Sequence, residues 1–441
     1  MDDAQAGYRL GTLALHAGQR PDPATLSSAV PIYATSSYVF RSTGHAADLF
    51  ALREQGNIYS RLTNPTTEVL EKRLAALDGG IGALAFSSGQ AAITAAILTL
   101  AHSGQNFLSS TSLYGGTWTL FSQTFKKLGV EVRFFDPDEP ETMARLIDGN
   151  TRLVYLESIG NPKNDIPDLR ALSALAHAHG LPVIVDNTLL TPALLRPIEL
   201  GADIVLYSTT KFLGGHGVHV GGAVVDSGRF PWADNPAKWP EFTAPDEAYH
   251  GMVFTEALEP LGNLAYIMHA RTHWLRDTGA CMSPFAAFLF LLGLETLPVR
   301  MERHVRNAAA LAEWLASHPD VVWVNYPGLA GHPYHDRARA LLPNGAGAIV
   351  GFGIRGGRAA GVRFIEAVKL ASHLANIGDA RTLVIHPAST THSQLTGEEQ
   401  RATGVTPEYI RVSVGIEDIE DIREDFAQAL RASRPQEQPA E

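Results

Sequence analysis

The chain has 441 residues, a length that accommodates two or three domains around a large buried core. Hydrophobic residues make up 45% and charged residues 18%, which is ordinary for a globular protein. The formal net charge of -11 argues against a general attraction to nucleic acid or to an anionic membrane, so we expect neither as a partner.

The N-terminal residues show neither the basic stretch nor the apolar run of a targeting segment. The longest mostly apolar run, residues 91–101, is shorter than the about 20 residues that span a bilayer. The single cysteine, Cys281, excludes an intrachain disulfide. We therefore expect a cytoplasmic protein.

Residues 1–65 lack a steady hydrophobic periodicity and include polar stretches such as residues 35–37. This pattern predicts an extended N-terminal arm rather than a domain. Apolar residues at helical spacing follow Pro65, and Gly79 marks the end of that predicted helix.

Strands and helices alternate in a predicted large domain at residues 66–265. Predicted strands cover residues 83–86, 107–109, 130–135, 153–156, 183–185 and 204–206, and predicted helices cover residues 90–100, 117–128 and 169–179. This alternation indicates an α/β fold with a mostly parallel central sheet and helices on both faces. Ligands of such sheets lie beyond the carboxyl ends of the strands.

Residues 266–441 form a predicted smaller C-terminal α/β domain. A proline-rich connection at residues 228–250 precedes it, and a helix is predicted at residues 261–275. Strands are predicted at residues 321–324, 348–352, 383–385 and 410–414. From about residue 433 the polar, proline-containing tail is predicted to be disordered.

Lys211 follows a short apolar strand and precedes a glycine-rich loop. A lysine at such a strand end is partly desolvated, which favours the neutral amine that forms a Schiff base with an aldehyde cofactor. Lys211 is therefore the candidate catalytic residue, and the competing interpretation is a solvated loop lysine. Polar partners elsewhere in the chain decide between the two.

A pyridoxal phosphate site needs a carboxylate beside the pyridinium nitrogen, because the protonated ring is the electron sink. Asp186 ends a predicted strand 25 residues before Lys211 and suits that role. Standing alone, it is equally well explained as a cap of the following loop.

The phosphate of such a cofactor needs backbone N–H groups and hydroxyls. Ser88, Gly89 and Gln90 lie between a strand and a helix, so the amides of that helix start point at an anion. Ser208 and Thr210 add hydroxyls beside the lysine. The alternative for residues 88–90 is an ordinary helix cap.

Two further residues complete the predicted site. Tyr114 follows a short strand, as a residue that stacks on the ring face would, although ordinary packing explains a lone tyrosine as well. Arg411 lies within an apolar strand, where an unpaired guanidinium is costly, so it should meet an anion. That anion is either a substrate carboxylate or a buried structural acid.

Together these segments resemble the Cys/Met-metabolism family of pyridoxal-phosphate enzymes, of fold type I. The similarity rests on Asp186-Asn-Thr, on Ser208-x-Thr-Lys211 with His216, and on Arg411-Val-Ser-Val-Gly, and it extends over nearly the whole chain. Further matches are Glu157-Ser-Ile-Gly-Asn-Pro and the run from Ser372 to His392. They are most similar to the branch that exchanges the acetyl group of O-acetyl-L-homoserine for sulfide.

The resemblance implies γ-replacement by a pyridoxal-phosphate-dependent transferase of methionine biosynthesis, with sulfide or a small thiol as the second substrate. It implies that Tyr59 and Arg61 reach the phosphate in the partner subunit, which makes a dimer the catalytic unit and a homotetramer the expected assembly. It also implies that Asn161 lies beside the cofactor ring and the substrate carboxylate, with Asn376 and Arg411 on that carboxylate.

Some positions depart from the family pattern. Leu189 replaces the usual aromatic residue after Asp186-Asn-Thr, and Tyr207 stands where histidine is common. Gly116 occupies the position of a cysteine in methionine γ-lyases, which counts against methionine breakdown.

Several alternatives remain open at this point. Related enzymes use O-succinylhomoserine, make cystathionine or cleave at Cγ, and a non-catalytic pyridoxal-phosphate-binding protein is a remote alternative. The histidines at positions 216, 219, 386 and 392 show no fixed ligand spacing, so we predict loop hydrogen bonds and no metal.

Overall fold

Twelve strands arranged in two sheets form the frame of the computed structural model, which describes residues 7–390, 393, 396 and 404–434. The strands of the first sheet are β1 (Gly82–Phe86), β2 (Asn106–Ser110), β3 (Glu131–Phe135), β4 (Thr151–Glu157), β5 (Val183–Asp186), β6 (Ile204–Tyr207) and β7 (Gly222–Asp226). Those of the second are β8 (Val321–Asn325), β9 (Ile349–Ile354), β10 (Ser372–His373), β11 (Leu383–Ile385) and β12 (Tyr409–Ser413).

The first sheet has the strand order β1-β7-β6-β5-β4-β2-β3. The strands from β6 through β3 pair in parallel, whereas β7 is antiparallel to both of its neighbours, β1 and β6. Six strands therefore run in one direction and only β7 opposes them. Their six carboxyl ends lie at a single edge of the sheet, and the predicted mostly parallel sheet is present.

Alternation of side chains along the strands gives the first sheet a core on each face. Val183 and Val185 of β5 pack into one core, and Ile184 between them packs into the other. All three are fully buried. Strands with apolar residues on both faces require helices on both sides, which explains the continuous apolar runs in the sequence.

Helices cover both faces of the sheets. The α-helical segments are Leu10–His16, Thr43–Phe50, Pro65–Asp78, Gly89–Leu98, Gly115–Thr119, Pro140–Arg145, Leu169–Ala178, Thr191–Leu194, Pro240–Thr243, Phe254–Ala257, Ala265–His269, Arg276–Thr278, Pro284–Glu295, Leu297–Ala316, His335–Leu341, Gly357–Ala367 and Ile419–Ser433. Two π-helical stretches, Leu120–Phe125 and Ala270–Leu275, continue the helices before them. No single helix of the described chain is both long and apolar enough to cross a membrane.

The second sheet has the order β10-β11-β12-β9-β8. Its strands pair antiparallel except for β10 and β11. Val350 and Val412 of this sheet belong to the same apolar core as Val185 of the first sheet. The two sheets are thus joined by shared packing, and this brings β12 to the predicted site.

Among the differences from the sequence predictions are β7, for which no strand was predicted, and the N-terminal arm. The N-terminal arm contains the helices Leu10–His16 and Thr43–Phe50, which the sequence did not reveal because each is only two turns long. At the predicted start of the tail, Ser433 ends a helix and Arg434 donates hydrogen bonds to Asp320. Residues 435–441 lie outside the described residues, as does His392.

Candidate active site

The predicted site residues come from segments that leave the first sheet at one edge. Ser88 follows β1, Asn161 follows β4, Asp186 ends β5, and Ser208 follows β6. Asp186 is in register with Glu157 on β4 and with Leu206 on β6. The shared direction of these strands therefore gathers residues that are 120 positions apart in sequence, from Ser88 to Ser208.

Lys211 lies in the connection between β6 and β7. Its backbone carbonyl accepts a hydrogen bond from Gly215 N–H at 2.8 Å, and its amine donates to Asn376 Oδ1. Burial, followed by the charge of Arg411, lowers the pKa of Lys211 to about 8. The amine is therefore partly desolvated, and its lowered pKa favours the neutral form.

The backbone of Lys211 is packed against a segment that precedes β11. A Cβ atom on Gly378 would lie 3.1 Å from Lys211 Cα and 2.5 Å from Phe212 N. Gly378 has a φ of +74°, and its N–H donates to Ser413 Oγ at 2.9 Å. Only glycine fits this close approach, so the chain around Asn376 and Gly378 holds the lysine in place.

Asp186 is half-buried at the end of β5. Its Oδ1 accepts a hydrogen bond from Thr188 N–H at 3.0 Å, and Tyr155 Oη donates to Oδ2 at 3.4 Å. Burial raises the pKa of Asp186 above its ordinary value. A half-buried carboxyl that pairs with no cation among the described residues is suited to a protonated ring nitrogen.

The start of helix Gly89–Leu98 presents unpaired amides. Ser88 caps it, because Ser88 Oγ accepts from Ala91 N–H at 3.1 Å. Within the described part of the chain the N–H groups of Gly89 and Gln90 make no hydrogen bond, as expected for the first turn of a helix. A Cβ atom on Gly89 would lie 2.8 Å from Ser208 Cβ, so residues 88–90 and Ser208 are neighbours.

Thr210 has a hydrogen-bonding role within the lysine loop. Its hydroxyl donates to Gly221 O at 3.2 Å and accepts from Gly221 N–H at 3.0 Å. The N–H of Ser208 donates to Thr188 Oγ1 at 2.8 Å, which links the loop to the end of β5. The Ser208 hydroxyl makes no hydrogen bond within the described chain.

Tyr114 precedes helix Gly115–Thr119 and is 53% exposed, so its ring face is open. Its N–H donates to Glu157 Oε1 at 2.7 Å. Burial, with the nearby Asp186 as a second cause, raises the pKa of Glu157 well above its usual range. A Cβ atom on Gly116 would lie 2.5 Å from Tyr114 Cε1, so a larger residue there would displace the ring.

Arg411 connects the two sheets across the site. It lies on β12, and its guanidinium donates to Asn161 Oδ1 and to the backbone carbonyl of Asn376, both at 3.4 Å. No carboxylate pairs with Arg411 among the described residues. The structure therefore brings together Lys211, Asn161, Asn376 and Arg411, with a cation that lacks an anionic partner.

Tyr59 and Arg61 lie apart from this group, on the N-terminal arm. Both are exposed, and the guanidinium of Arg61 lies 5.4 Å from the centre of the Tyr59 ring. Tyr59 pairs with Ser37 in an isolated antiparallel bridge. Among the described residues, neither side chain forms a hydrogen bond with Lys211 or with residues 88–90.

Sequence reasoning gave no role to Tyr155 or to Glu157, whereas Thr188 was part of the candidate segment Asp186-Asn-Thr. Tyr155 and Glu157 lie in the apolar strand β4, and Thr188 follows Asp186. A polar residue inside an apolar strand was the available signal for the first two, since such a group needs a partner when buried.

The group as a whole fits pyridoxal phosphate. Free amides at a helix start and the Ser208 hydroxyl suit a phosphate, Asp186 suits the ring nitrogen, and the amine of Lys211 suits the aldehyde. Tyr207, at the position where the family commonly has histidine, is buried instead beneath the site. Its hydroxyl donates to Asp78 Oδ1 at 2.8 Å and accepts from Asn187 Nδ2 at 3.1 Å.

The fold and the site together define a fold type I pyridoxal-phosphate-dependent enzyme. The family model for Cys/Met metabolism PLP-dependent enzymes matches residues 11–431. The chain belongs to that family, and the family, cofactor and fold expected from the sequence are confirmed.

Named relatives resemble the chain over almost its full length. A homocysteine synthase from Schizosaccharomyces pombe is 55% identical, covering 96% of this chain and 98% of the relative. O-acetyl-L-homoserine sulfhydrylase 1 from Thermus thermophilus is 54% identical, covering 96% and 100%. The homocysteine/cysteine synthase of Saccharomyces cerevisiae is 52% identical, covering 95% and 97%.

A solved structure is also similar to the chain. It is a crystal structure of an O-acetylhomoserine (thiol)-lyase from Campylobacter jejuni that contains a pyridoxyl-lysine monophosphate. It is 39% identical with a TM-score of 0.92, covering 96% of this chain and all of the other.

Proposed function

We propose that this enzyme catalyses a γ-replacement, in which O-acetyl-L-homoserine and sulfide, or a small thiol, give L-homocysteine, or its thioether, and acetate. One observation carries the proposal: Arg411, without an acidic partner in the described chain, lies beside Asn161 and near the amine of Lys211. This arrangement binds an amino-acid carboxylate next to a reactive amine. Relatives 54% and 55% identical are named for this chemistry.

The cofactor is held by residues from four strand ends. In this proposal Asp186 keeps the ring nitrogen protonated, and the helix start at residues 88–90, with Ser208 and Thr210, holds the phosphate. Asn161 and Tyr114 border the ring. Pyridoxal phosphate, when bound, supplies an electron sink for the electron pair left at the substrate Cα.

Lys211 is the proton carrier of the proposed reaction. Its amine removes the Cα proton of the substrate, gives that proton up again, and as a neutral amine then removes a Cβ proton, so that acetate leaves from Cγ. A pKa of about 8 leaves about a tenth of such amines neutral at pH 7, far more than for an exposed lysine. Tyr114 is the second proposed acid or base, positioned by the hydrogen bond from its N–H to Glu157.

Arg411, Asn376 and Asn161 orient the substrate. The guanidinium of Arg411 binds a carboxylate through two parallel hydrogen bonds, which fixes direction as well as distance. Asn376 presents its backbone carbonyl to Arg411 and its side chain to Lys211. The same residue therefore relates the carboxylate position to the amine that moves the protons.

The assay that tests this proposal supplies sulfide with O-acetyl-, O-succinyl- or O-phosphohomoserine and identifies the products, then repeats the series with cysteine as the nucleophile. We expect homocysteine from the acetyl ester and sulfide. Lys211→Ala should abolish turnover and the visible absorbance of the bound cofactor. Lys238→Ala is the matched control, because burial also lowers the pKa of Lys238 to about 8, yet it contacts Trp239 instead. Normal turnover by Lys211→Ala would refute the scheme.

Cysteine synthesis is a second candidate function. The yeast relatives from Saccharomyces cerevisiae and Kluyveromyces lactis, 52% and 53% identical, are named homocysteine/cysteine synthase. An O-acylated serine differs from the homoserine ester by one methylene, which pocket contacts distinguish by about 10- to 200-fold. Adding O-acetyl-L-serine to the same panel measures that ratio directly.

A γ-lyase activity is disfavoured by the packing of Gly116. The clash that a Cβ atom on Gly116 would make with the Tyr114 ring shows that this site is shaped without a side chain there. The resemblance places cysteine at this position in methionine γ-lyases. Release of methanethiol from methionine should therefore be negligible.

We further propose a cytoplasmic homotetramer built from catalytic dimers, in which Tyr59 and Arg61 hold the phosphate in the partner subunit. Exposed apolar residues of the arm support an assembled state, since Val39 is 98% and Phe50 is 60% exposed in the single chain. In this proposal residues 1–65 are the arm, residues 66–265 the large domain and residues 266–441 the C-terminal domain.

A further inference from the structure

Residues 160–165, which we call the Asn161 loop, lie between β4 and the next long helix and carry one residue of the proposed substrate site. Two backbone hydrogen bonds close the loop: Gly160 N–H donates to Asp165 O, and Asn164 N–H donates to Gly160 O, both at 2.9 Å. Asn161, Asn164 and Asp165 are all buried. The position of Asn161 therefore depends on what holds the loop as a unit.

Two asparagines join the Asn161 loop to the second sheet, each donating to the backbone of the other's segment. The Asn164 side chain donates to Asn325 O at 3.0 Å and to Ile349 O at 3.1 Å, at the end of β8 and the start of β9. In return, Asn325 Nδ2 donates to Lys163 O at 2.9 Å and to Pro162 O at 3.4 Å. This reciprocal pairing ties the loop to two adjacent strands.

His332 determines which way the side-chain amide of Asn325 points. The N–H of Tyr334 donates to His332 Nδ1 at 3.2 Å, so the neutral ring carries its proton on Nε2. That Nε2 atom donates to Asn325 Oδ1 at 2.7 Å, which leaves Asn325 Nδ2 facing the Asn161 loop. Burial, followed by the charge of His335, lowers the pKa of His332 and so favours this neutral ring.

Tyr409 adds a contact from the strand that carries Arg411. Its hydroxyl donates to Pro162 O at 3.1 Å, one residue beyond Asn161. Tyr409 and Arg411 are two positions apart on β12, so their side chains leave the same face of the sheet. One strand therefore holds both the Asn161 loop and the guanidinium that Asn161 meets.

The pairing register places these contacts in one row of the second sheet. Gly351 on β9 lies opposite Arg411 on β12 and opposite Asn325 on β8. Arg411 and Asn325 are therefore about 10 Å apart on the same face, with only a glycine between them. A Cβ atom on Gly351 would lie 2.5 Å from Tyr409 Cε2, so the glycine makes room for the ring that reaches the Asn161 loop.

We propose that Asn325 and Tyr409 are positioning residues that set the distance between Asn161 and Arg411, and thereby the binding of the substrate α-carboxylate. This inference rests on the proposed function, in which Asn161 and Arg411 bind that carboxylate. Asn325 and Tyr409 act through the backbone of residues 162–163 and not through contact with the substrate. While the loop is held, Asn161 Oδ1 accepts from Arg411 Nη1 at 3.4 Å, and a released loop lets the two groups separate.

The test compares two amines that differ only in a carboxylate, L-norvaline and 1-aminobutane, as ligands of the cofactor-loaded full chain. Neither has a leaving group, so binding is measured at equilibrium from the change in the visible absorbance of the cofactor. We expect the wild type to prefer norvaline. Asn325→Asp, which keeps the acceptor for His332 but loses the donor, should reduce that preference at least about tenfold, and Tyr409→Phe about fivefold. Tyr409→Phe leaves the ring stacked on Trp323, so it gives the answer even if Asn325→Asp does not fold.

Tyr334→Phe is the matched control, because the Tyr334 hydroxyl donates to Asp138, outside the Asn161 loop, and its loss should leave the preference for norvaline unchanged. In the turnover assay both positioning variants should raise KM for O-acetyl-L-homoserine by similar factors and keep kcat within about threefold. An unchanged preference in Asn325→Asp and Tyr409→Phe, or an equal loss in Tyr334→Phe, would overturn the inference alone. If the wild type itself binds both amines equally, the proposed role of Arg411 fails and the inference falls with it.

Discussion

Two neighbours affect the amine of Lys211, one through its pKa and the other through a hydrogen bond. Burial and the charge of Arg411 lower its pKa to about 8, while Asn376 accepts its hydrogen bond. The neutral fraction of the Lys211 amine increases as the pH rises through this pKa. Covalent attachment of the cofactor to the apoprotein should therefore accelerate with pH. We expect the rate to rise about tenfold per pH unit up to about pH 7, less steeply around pH 8, and to reach a plateau above about 9, measured from the growth of visible absorbance. A rate that keeps rising to about pH 10.5 would show an unperturbed lysine.

Glu157 is a positioning residue whose role depends on its protonation. Burial raises the pKa of its carboxyl well above the usual range, which favours the neutral acid, and its Oε1 accepts a hydrogen bond from Tyr114 N–H. Glutamine reproduces that acceptor without charge. We expect Glu157→Gln to retain kcat/KM within about threefold and Glu157→Ala to lose at least about tenfold, with the loss mainly in kcat. A large loss in the glutamine variant alone would indicate that the charged carboxylate is the working form.

The site residues that lie at the ends of predicted strands were identified from the sequence. Lys211, Asp186 and Ser88 follow or end apolar strands, and each lies at the predicted edge of the sheet. Glu157 was missed because its partner is a backbone amide 43 positions away, which no local pattern reveals.

Among the elements, the segment around Gly378 restricts the choice of amino acid most strongly. Gly378 and Gly104 both have positive φ values, +74° and +86°, but only at Gly378 would an added Cβ atom lie within 4 Å of backbone atoms. Gly104→Ala should therefore cost about 1 kcal/mol of unfolding free energy from backbone strain alone. Gly378→Ala should cost more and reduce cofactor absorbance at saturating pyridoxal phosphate. Equal effects in thermal unfolding would contradict the close packing on Lys211.

Element type was predictable where apolar runs were long, and so was the parallel direction of most strands of the first sheet, but the antiparallel direction of β7 was not. The strands β4, β5 and β6 were predicted from continuous apolar sequence. The strand β7 was not predicted, because Gly222–Asp226 directly follows a glycine-rich loop. Its antiparallel course depends on pairing with β1, a contact between residues far apart in the chain, such as Gly82 and Asp226. Pairing partners of that separation are set by tertiary packing, which a local pattern does not record.

At the scale of the whole molecule, the proposed sharing of sites between subunits gives a complementation test. Arg61→Ala disables the site of the partner, whereas Lys211→Ala disables the site of its own chain. In a hybrid dimer both defects fall in one site and the other site is intact. Coexpression of the two variants should therefore restore about a quarter of wild-type specific activity under random pairing. If Arg61 served its own chain, no activity would return; each variant expressed alone is the control.

The contact between Gly378 and the backbone of Lys211 limits how the enzyme can move its reactive nitrogen. Since the main chain at this position is clamped from the opposite sheet, travel comes from rotation about the side-chain bonds and not from a shifting loop. The amine therefore moves only as far as rotation of the Lys211 side chain about its fixed Cα allows. This range is sufficient to move protons at two adjacent carbon atoms of the substrate, and more distant atoms of the substrate stay out of reach.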